Sequence, residues 1–119
     1  MAVQLEVRTR AHSELQDITS HVQQAVSKSG VQEGVCHVFV PHTTAALTLN
    51  ENWDPDVRGA LVRAVAAMVP EVPFRHGEGN SPAHLMSTLV GAGETLLVSG
   101  GRLLLGSWQG IYLAEFDGP

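Results

Sequence analysis

The sequence predicts an α+β domain built mainly on antiparallel β-sheet, and three observations carry that expectation. Apolar runs of strand length recur through the 119 residues, whereas only two or three segments have helical spacing. Links between several neighbouring runs are a few residues long, as between Val40 and Ala45 or across Gly100-Gly101, too short for the crossover that a parallel pair requires. No internal repeat, low-complexity linker or shift in composition marks a boundary, so residues 1–119 are expected to form a single domain. A domain of this size buries roughly two thirds of the surface its unfolded chain exposes and needs no disulfide.

Val3, Leu5 and Val7 alternate with Gln4, Glu6 and Arg8, the pattern of a half-buried first strand. Ile18, Val22, Ala25 and Val26 then recur at helical spacing before Gly30, with Asp17 or Thr19 as the capping residue. Residues 35–40 and 45–49 read as strands. Pro41 cannot donate to a sheet ladder, so Pro41-His42-Thr43-Thr44 is expected where the sheet pattern breaks. Asp54-Pro55-Asp56 joins an N-cap, a first-turn proline and an acid against the helix dipole; Val57, Leu61, Val65 and Met68 continue this helix to about Val69, where Pro70 ends it. Ser81-Pro82 starts a shorter helix through Leu85, Leu89 and Val90 to Gly91. Residues 94–99 and 102–105 flank a two-residue hairpin turn at Gly100-Gly101, and Gly106 and Ser107 introduce a bulge before a last strand over 111–116. The expected order is strand, helix, two strands, helix, short helix, three strands.

Composition excludes several classes of function. Seven Lys or Arg against twelve Asp or Glu give a net charge of -5, with no basic run and no interleaved aromatics, so nucleic acid is not an expected partner. No window approaches the roughly 18 apolar residues of a membrane span, and the alternating amino terminus has no charged leader, so a soluble cytoplasmic protein without a membrane partner is expected. Cys36 is the only cysteine, reads as a small buried hydrophobe and fits a reducing compartment. The charged fraction of 16% leaves room for a buried subunit interface.

Three of the six histidines lie in polar stretches rich in glycine or threonine: His42 beside Thr43 and Thr44, and His76 and His84 bounding the segment from Arg75 to His84. Imidazole ligates metal, carries a proton near neutral pH, or holds phosphate when charged. His42, His76 and His84 therefore form a candidate three-ligand set for a divalent metal ion, zinc or magnesium, with a position left for water or substrate. The bland alternative is that each imidazole satisfies loop backbone groups. Gly77, Glu78, Gly79, Asn80 and Ser81 lead into a helix whose unpaired amides and dipole favour an anion, with Arg75, Thr43 and Thr44 as further phosphate donors; simple helix capping is the competing reading. Glu51, between Asn50 and Asn52, is a candidate base, metal ligand or partner to a histidine; polar residues at such a turn also cap the following helix. Glu78, flanked by glycines, is the better acid or base candidate. Trp108 and Gln109, between Gly106 and Gly110, would wall a pocket or fill an interface, and Trp53 reads as a packing residue. His12, His21 and His37 are assigned no function.

The stretches Val38-Phe39-Val40-Pro41-His42-Thr43-Thr44-Ala45-Ala46-Leu47, Asn50-Glu51-Asn52 with Asp54-Pro55-Asp56-Val57, the Arg75-to-His84 segment, and Leu105-Gly106-Ser107-Trp108-Gln109-Gly110-Ile111-Tyr112 with Phe116-Asp117-Gly118-Pro119 together resemble the YjbQ-like family. The resemblance covers nearly the whole chain, with four motifs in order. It implies a YjbQ-like fold, a homotrimer, and the activity of a secondary thiamine-phosphate synthase, a transferase joining a pyrimidine methyl diphosphate to a thiazole phosphate with loss of diphosphate. It carries site roles onto His42, Thr43, Thr44, Asn50, Glu51, His76, Glu78, Gly79, Asn80, His84, Trp108 and Gln109. Two departures stand out. Leu85-Met86-Ser87 lacks a lysine that relatives often carry there, and a short basic tail expected from relatives does not follow Pro119.

Two functional readings follow. In the first, the chain is a phosphate- or metal-dependent transferase in which His42, Glu51, His76, Glu78 and His84 do chemistry while Thr43, Thr44, Asn50, Arg75, Gly79, Asn80, Ser81, Trp108 and Gln109 hold a small phosphorylated metabolite. In the second, the same pocket is a non-catalytic binding module. In either, a domain of limited depth favours a site at a subunit boundary.

Overall fold

The computed structural model describes residues 2–70 and 79–119. Its elements run β1 (Glu14–Asp17), α1 (Thr19–Ser29), β2 (Glu33–Phe39), β3 (Ala45–Glu51), α2 (Pro55–Ala67), α3 (Ser81–Val90), β4 (Gly93–Ser99), β5 (Arg102–Leu103) and β6 (Gln109–Glu115). They form an α+β fold with antiparallel pairing throughout, but in two three-stranded sheets, ordered β1-β6-β3 and β2-β4-β5, rather than one. Among the described residues no helix is long and apolar enough to cross a membrane.

The amino-terminal expectation is corrected. Residues 2–10 have no strand assignment and Val3 and Leu5 face solvent, because alternation creates a strand only where a partner lies alongside. The first strand is Glu14–Asp17 instead, paired with β6 from Glu14↔Glu115 to Asp17↔Tyr112. Elsewhere the local signals hold. Asp54 caps α2 by accepting from the Asp56 N–H at 2.9 Å, with Pro55 in the first turn. Gly100 and Gly101 have φ of 59° and 75°, a geometry that suits glycine in a two-residue hairpin turn. The expected bulge at Gly106 and Ser107 is a turn, closed by the Gln109 N–H on the Gly106 carbonyl at 3.1 Å.

Two apolar clusters fix the first sheet from its two faces. On one face Leu47 and Ile111 meet Ile18, Val22 and Val26 around α1, together with Leu96, Val98 and Leu103 of the second sheet. Truncating a side chain such as Leu47 to alanine there costs about 2–5 kcal/mol. On the other face Ala46 and Ala114, register partners and both fully buried, keep the sheet surface low enough for Ala83 and Met86 of α3 to seat on it with Phe116. The buried Ser87 hydroxyl donates to the Ala45 carbonyl at 2.9 Å, which ties α3 to the start of β3. Cys36 is half-buried beside the first cluster, and desolvation raises its thiol pKa.

Candidate functional site

The candidate residues divide between the two ends of β3. Seven residues at about 3.3 Å each separate those ends by roughly 20 Å.

The first end forms where the chain passes from one sheet to the other. Val40 closes β2 with its N–H on the Ala92 carbonyl at 2.9 Å, Pro41 has no N–H to continue the ladder, and the link 41–44 then enters β3. His42 and Thr43 are exposed and Thr44 is half-buried, with its carbonyl accepting from the Phe116 N–H at 3.1 Å. The start of α3 reaches the same place. The Asn80 amide donates to the Asp117 carboxylate at 3.0 Å, and the Asn80 carbonyl accepts from Ala83 and His84 in the first helical turn. Ser81 is buried and His84 half-buried. Thr44, Asn80 and the segment 116–117 are thereby joined, with Asp117 the member that sequence reading did not single out. Gly79, with φ of 76°, turns the chain into this helix.

At the amino end of α3, Asn80 makes no side-chain cap hydrogen bond and the first turn holds no acid. By the same two features α1 is alike and α2 differs. The Asp17 carboxylate accepts from the Thr19 N–H at 2.9 Å at the start of α1, while Asp54 and Asp56 occupy the start of α2. The amino end of α3 brings the positive end of a helix dipole to this end of the sheet, which favours an anion there. Asp117 opposes a bare anion there and favours one that arrives with a cation.

The second end gathers Asn50, Glu51, Trp108 and Gln109, since β3 and β6 pair Asn50 with Gly110 and Glu51 with Gln109. Here the polar groups serve the chain's own backbone. Glu51 Oε1 accepts from the N–H groups of Trp53 and Asp54, both at 3.0 Å, and Asn50 Oδ1 accepts from the Glu51 N–H at 2.7 Å. Gln109 Oε1 accepts from the Gly106 N–H at 2.9 Å. Glu51 Oε2 and Arg58 Nε are both buried and make no hydrogen bond. They lie around the fully buried Tyr112, whose hydroxyl donates to the Glu51 carbonyl at 3.1 Å and whose ring centroid is 5.7 Å from the Arg58 guanidinium carbon. Burial raises the Tyr112 pKa; Arg58 works against the rise, and Asp17 and Glu51 add to it. Trp53 is corrected from a packing residue to a surface one. It is 73% exposed and meets the 58% exposed Trp108 edge to face, with centroids 5.2 Å apart.

His76, Glu78 and Arg75 lie outside the described residues. Among the described residues no group of three His, Cys, Asp or Glu side chains is placed to hold a metal ion, so His42 and His84 by themselves do not constitute a metal centre. A cleft of about 470 Å³ lies elsewhere, lined by Asp17, Thr19, Ser20, Gln23, Arg102, Leu103 and Leu105. It contains none of the candidate residues, and Gln23 in it is committed to the Gly101 carbonyl and the Leu103 N–H.

A family model described as UPF0047 protein YjbQ-like matches residues 3–119. A UPF0047 protein of Methanocaldococcus jannaschii is 44% identical over 120 residues, covering 100% of this chain and 87% of its own length. The UPF0047 protein YugU of Bacillus subtilis is 44% identical over 117 residues, covering 97% of this chain and 89% of its own. A solved structure from Clostridium acetobutylicum, described as an uncharacterized conserved protein of the yjbq/upf0047 family, superposes with a TM-score of 0.91 at 45% identity, covering 95% of this chain and 88% of that one. A conserved hypothetical protein from Thermus thermophilus superposes with a TM-score of 0.89 at 45% identity, covering 99% and 92%.

Proposed function

The chain belongs to the YjbQ-like UPF0047 family, and from that premise we propose that the His42 end of the first sheet binds the phosphate of a small phosphorylated metabolite. The position of the amino end of α3 carries this reading: Asn80 at its start meets Asp117 at 3.0 Å beside the Thr44–Phe116 contact, so the positive end of a helix dipole lies at the His42 end of the sheet. Thr43, Thr44, Gly79, Asn80 and Ser81 would supply donors, with Arg75 adding charge. A divalent ion, zinc or magnesium, would be held by His42 and His84 with His76 as third ligand, and would neutralise phosphate against Asp117.

The finer reading is a transferase of the secondary thiamine-phosphate synthase type, working as a homotrimer. In that reaction the thiazole nitrogen forms a bond to the pyrimidine methylene carbon while the carbon–oxygen bond to diphosphate breaks. The chain's part is to orient the two phosphorylated substrates and to take up the charge of the departing diphosphate. Glu78 would handle protons, since Glu51 stands at the opposite end of β3. One observation favours the second reading, a binding module without turnover: Glu51 Oε1 already accepts two backbone N–H groups, which ties this carboxylate to the turn before α2.

Turnover of thiazole phosphate and pyrimidine methyl diphosphate by the wild type, His42→Ala and His84→Ala tests the choice. The transferase reading expects a loss of at least tenfold in both variants; equal weak activity in all three proteins supports the binding module.

A further inference from the structure

A cleft of about 470 Å³ opens between the start of α1 and β5, and it shares no residue with the phosphate site proposed above. That volume lies within the roughly 300–1,000 Å³ of small-molecule sites. Hydrogen bonds fix its walls. Asp17, the last residue of β1, accepts through Oδ1 from the Thr19 N–H at 2.9 Å and the Thr19 hydroxyl at 2.5 Å, and Thr19 Oγ1 accepts from the Ile111 N–H at 2.8 Å. One turn further along α1, the Gln23 amide donates to the Gly101 carbonyl at 3.1 Å and Gln23 Oε1 accepts from the Leu103 N–H at 3.0 Å, which clamps α1 to β5. Leu103, 9% exposed, and the half-buried Leu105 belong to the first apolar cluster or pack against it, and they give the cleft an apolar base.

The groups left around that base carry both signs of charge. Among the described residues Asp17 Oδ2, the Ser20 hydroxyl and the Arg102 guanidinium make no hydrogen bond, and Asp17 and Arg102, on opposite walls, form no ion pair. Glu33, on the same row of the second sheet as Arg102, instead uses Oε1 for the Ser99 hydroxyl and the Gly100 N–H, both at 3.1 Å. A lone anion in the cleft would face Asp17 and a lone cation Arg102, each a like-charge opposition, whereas a zwitterion sets each of its charges against the opposite one. We propose that the cleft binds a small zwitterion with an apolar side chain, of the amino-acid or short-peptide class. Its ammonium meets Asp17 Oδ2, its carboxylate the planar fork of Arg102, and its side chain the base of Leu103 and Leu105, while the Ser20 hydroxyl adds a bond to either charged group. The Thr19 bonds hold the Asp17 carboxylate in one orientation, so the site loses little freedom when the ammonium arrives.

Isothermal titration of the full chain with L-leucine and with leucyl-leucine tests the proposal and tells a free amino acid from a peptide. Leucinamide, which lacks the carboxylate, and N-acetyl-leucine, which lacks the ammonium, are measured beside them. The wild type is expected to bind one of the two zwitterions with a dissociation constant below about 1 mM, and each single-charge analogue about tenfold more weakly or worse. Asp17→Asn keeps the Oδ1 acceptor for Thr19, and Arg102→Gln changes an exposed side chain, so both are expected to retain the wild-type circular dichroism and to weaken binding at least tenfold. Arg63→Gln, which removes an exposed charge on α2, leaves the affinity unchanged. Should the Asp17 variant fold poorly, Arg102→Gln and the two analogues still decide. Dissociation constants above about 1 mM for both zwitterions overturn the proposal. So does a single-charge analogue that binds as tightly as the zwitterion, or wild-type affinity in Arg102→Gln.

Discussion

The two ends of β3 carry similar-looking polar sequences and use them in opposite ways. At the Glu51 end, Asn50, Glu51 and Gln109 each accept a hydrogen bond from a nearby backbone N–H, and Asp54 caps the helix that follows. At the His42 end the contacts to the segment 116–117 come from the Thr44 carbonyl and the Asn80 amide, while His42 and Thr43 project into solvent and α3 starts without an acid. A polar residue type near a turn therefore says little about function until its hydrogen bonds are counted. Side chains that satisfy their own backbone hold the scaffold, and the end where His42 and Thr43 lie exposed is the one able to hold a ligand.

That contrast can be broken most forcefully at Glu51. Glu51→Ala removes an acceptor of two backbone N–H groups next to a helix start and is expected to lower unfolding free energy by about 2 kcal/mol, read by urea denaturation, with phosphate affinity within twofold of wild type. A large loss of affinity without loss of stability would move Glu51 into the site. Asn80→Asp sharpens the comparison from the other side. The new carboxylate lies at the amino end of α3 and faces Asp117, so phosphate affinity is expected to fall by at least fivefold in isothermal titration, while helix capping changes stability by no more than about 1 kcal/mol. The smallest effect is expected from Trp53→Ala. An exposed edge-to-face pair contributes about 0.5–1.5 kcal/mol, so thermal denaturation should show a small shift and ligand affinity none.

The sequence made the helices and the hairpin legible because their signals are local. Asp54-Pro55, Ser81-Pro82 and Gly100-Gly101 each act within one turn of the chain, and Pro41 marked the passage between sheets for the same reason. What escaped depends on residues far apart. Glu14–Asp17 carries a single apolar residue and becomes a strand only because β6 lies beside it, whereas the better alternation at Val3, Leu5 and Val7 finds no ladder among the described residues. The contact of Trp53 with Trp108 spans 55 positions, and that of Asn80 with Asp117 spans 37. His42 and the start of α3 were readable as candidates, but the division of the candidates between two ends of one strand required the register of β3 on β6.

Isothermal titration of the full chain with inorganic phosphate, in the presence and absence of zinc or magnesium, tests the central claim most directly when His42→Ala and Glu51→Gln are measured beside the wild type. The account predicts that His42→Ala binds at least tenfold more weakly with an unchanged melting temperature, and that Glu51→Gln binds as the wild type does with a lowered one. Wild-type affinity in His42→Ala together with lost affinity in Glu51→Gln would contradict it, and would place the ligand at the opposite end of β3.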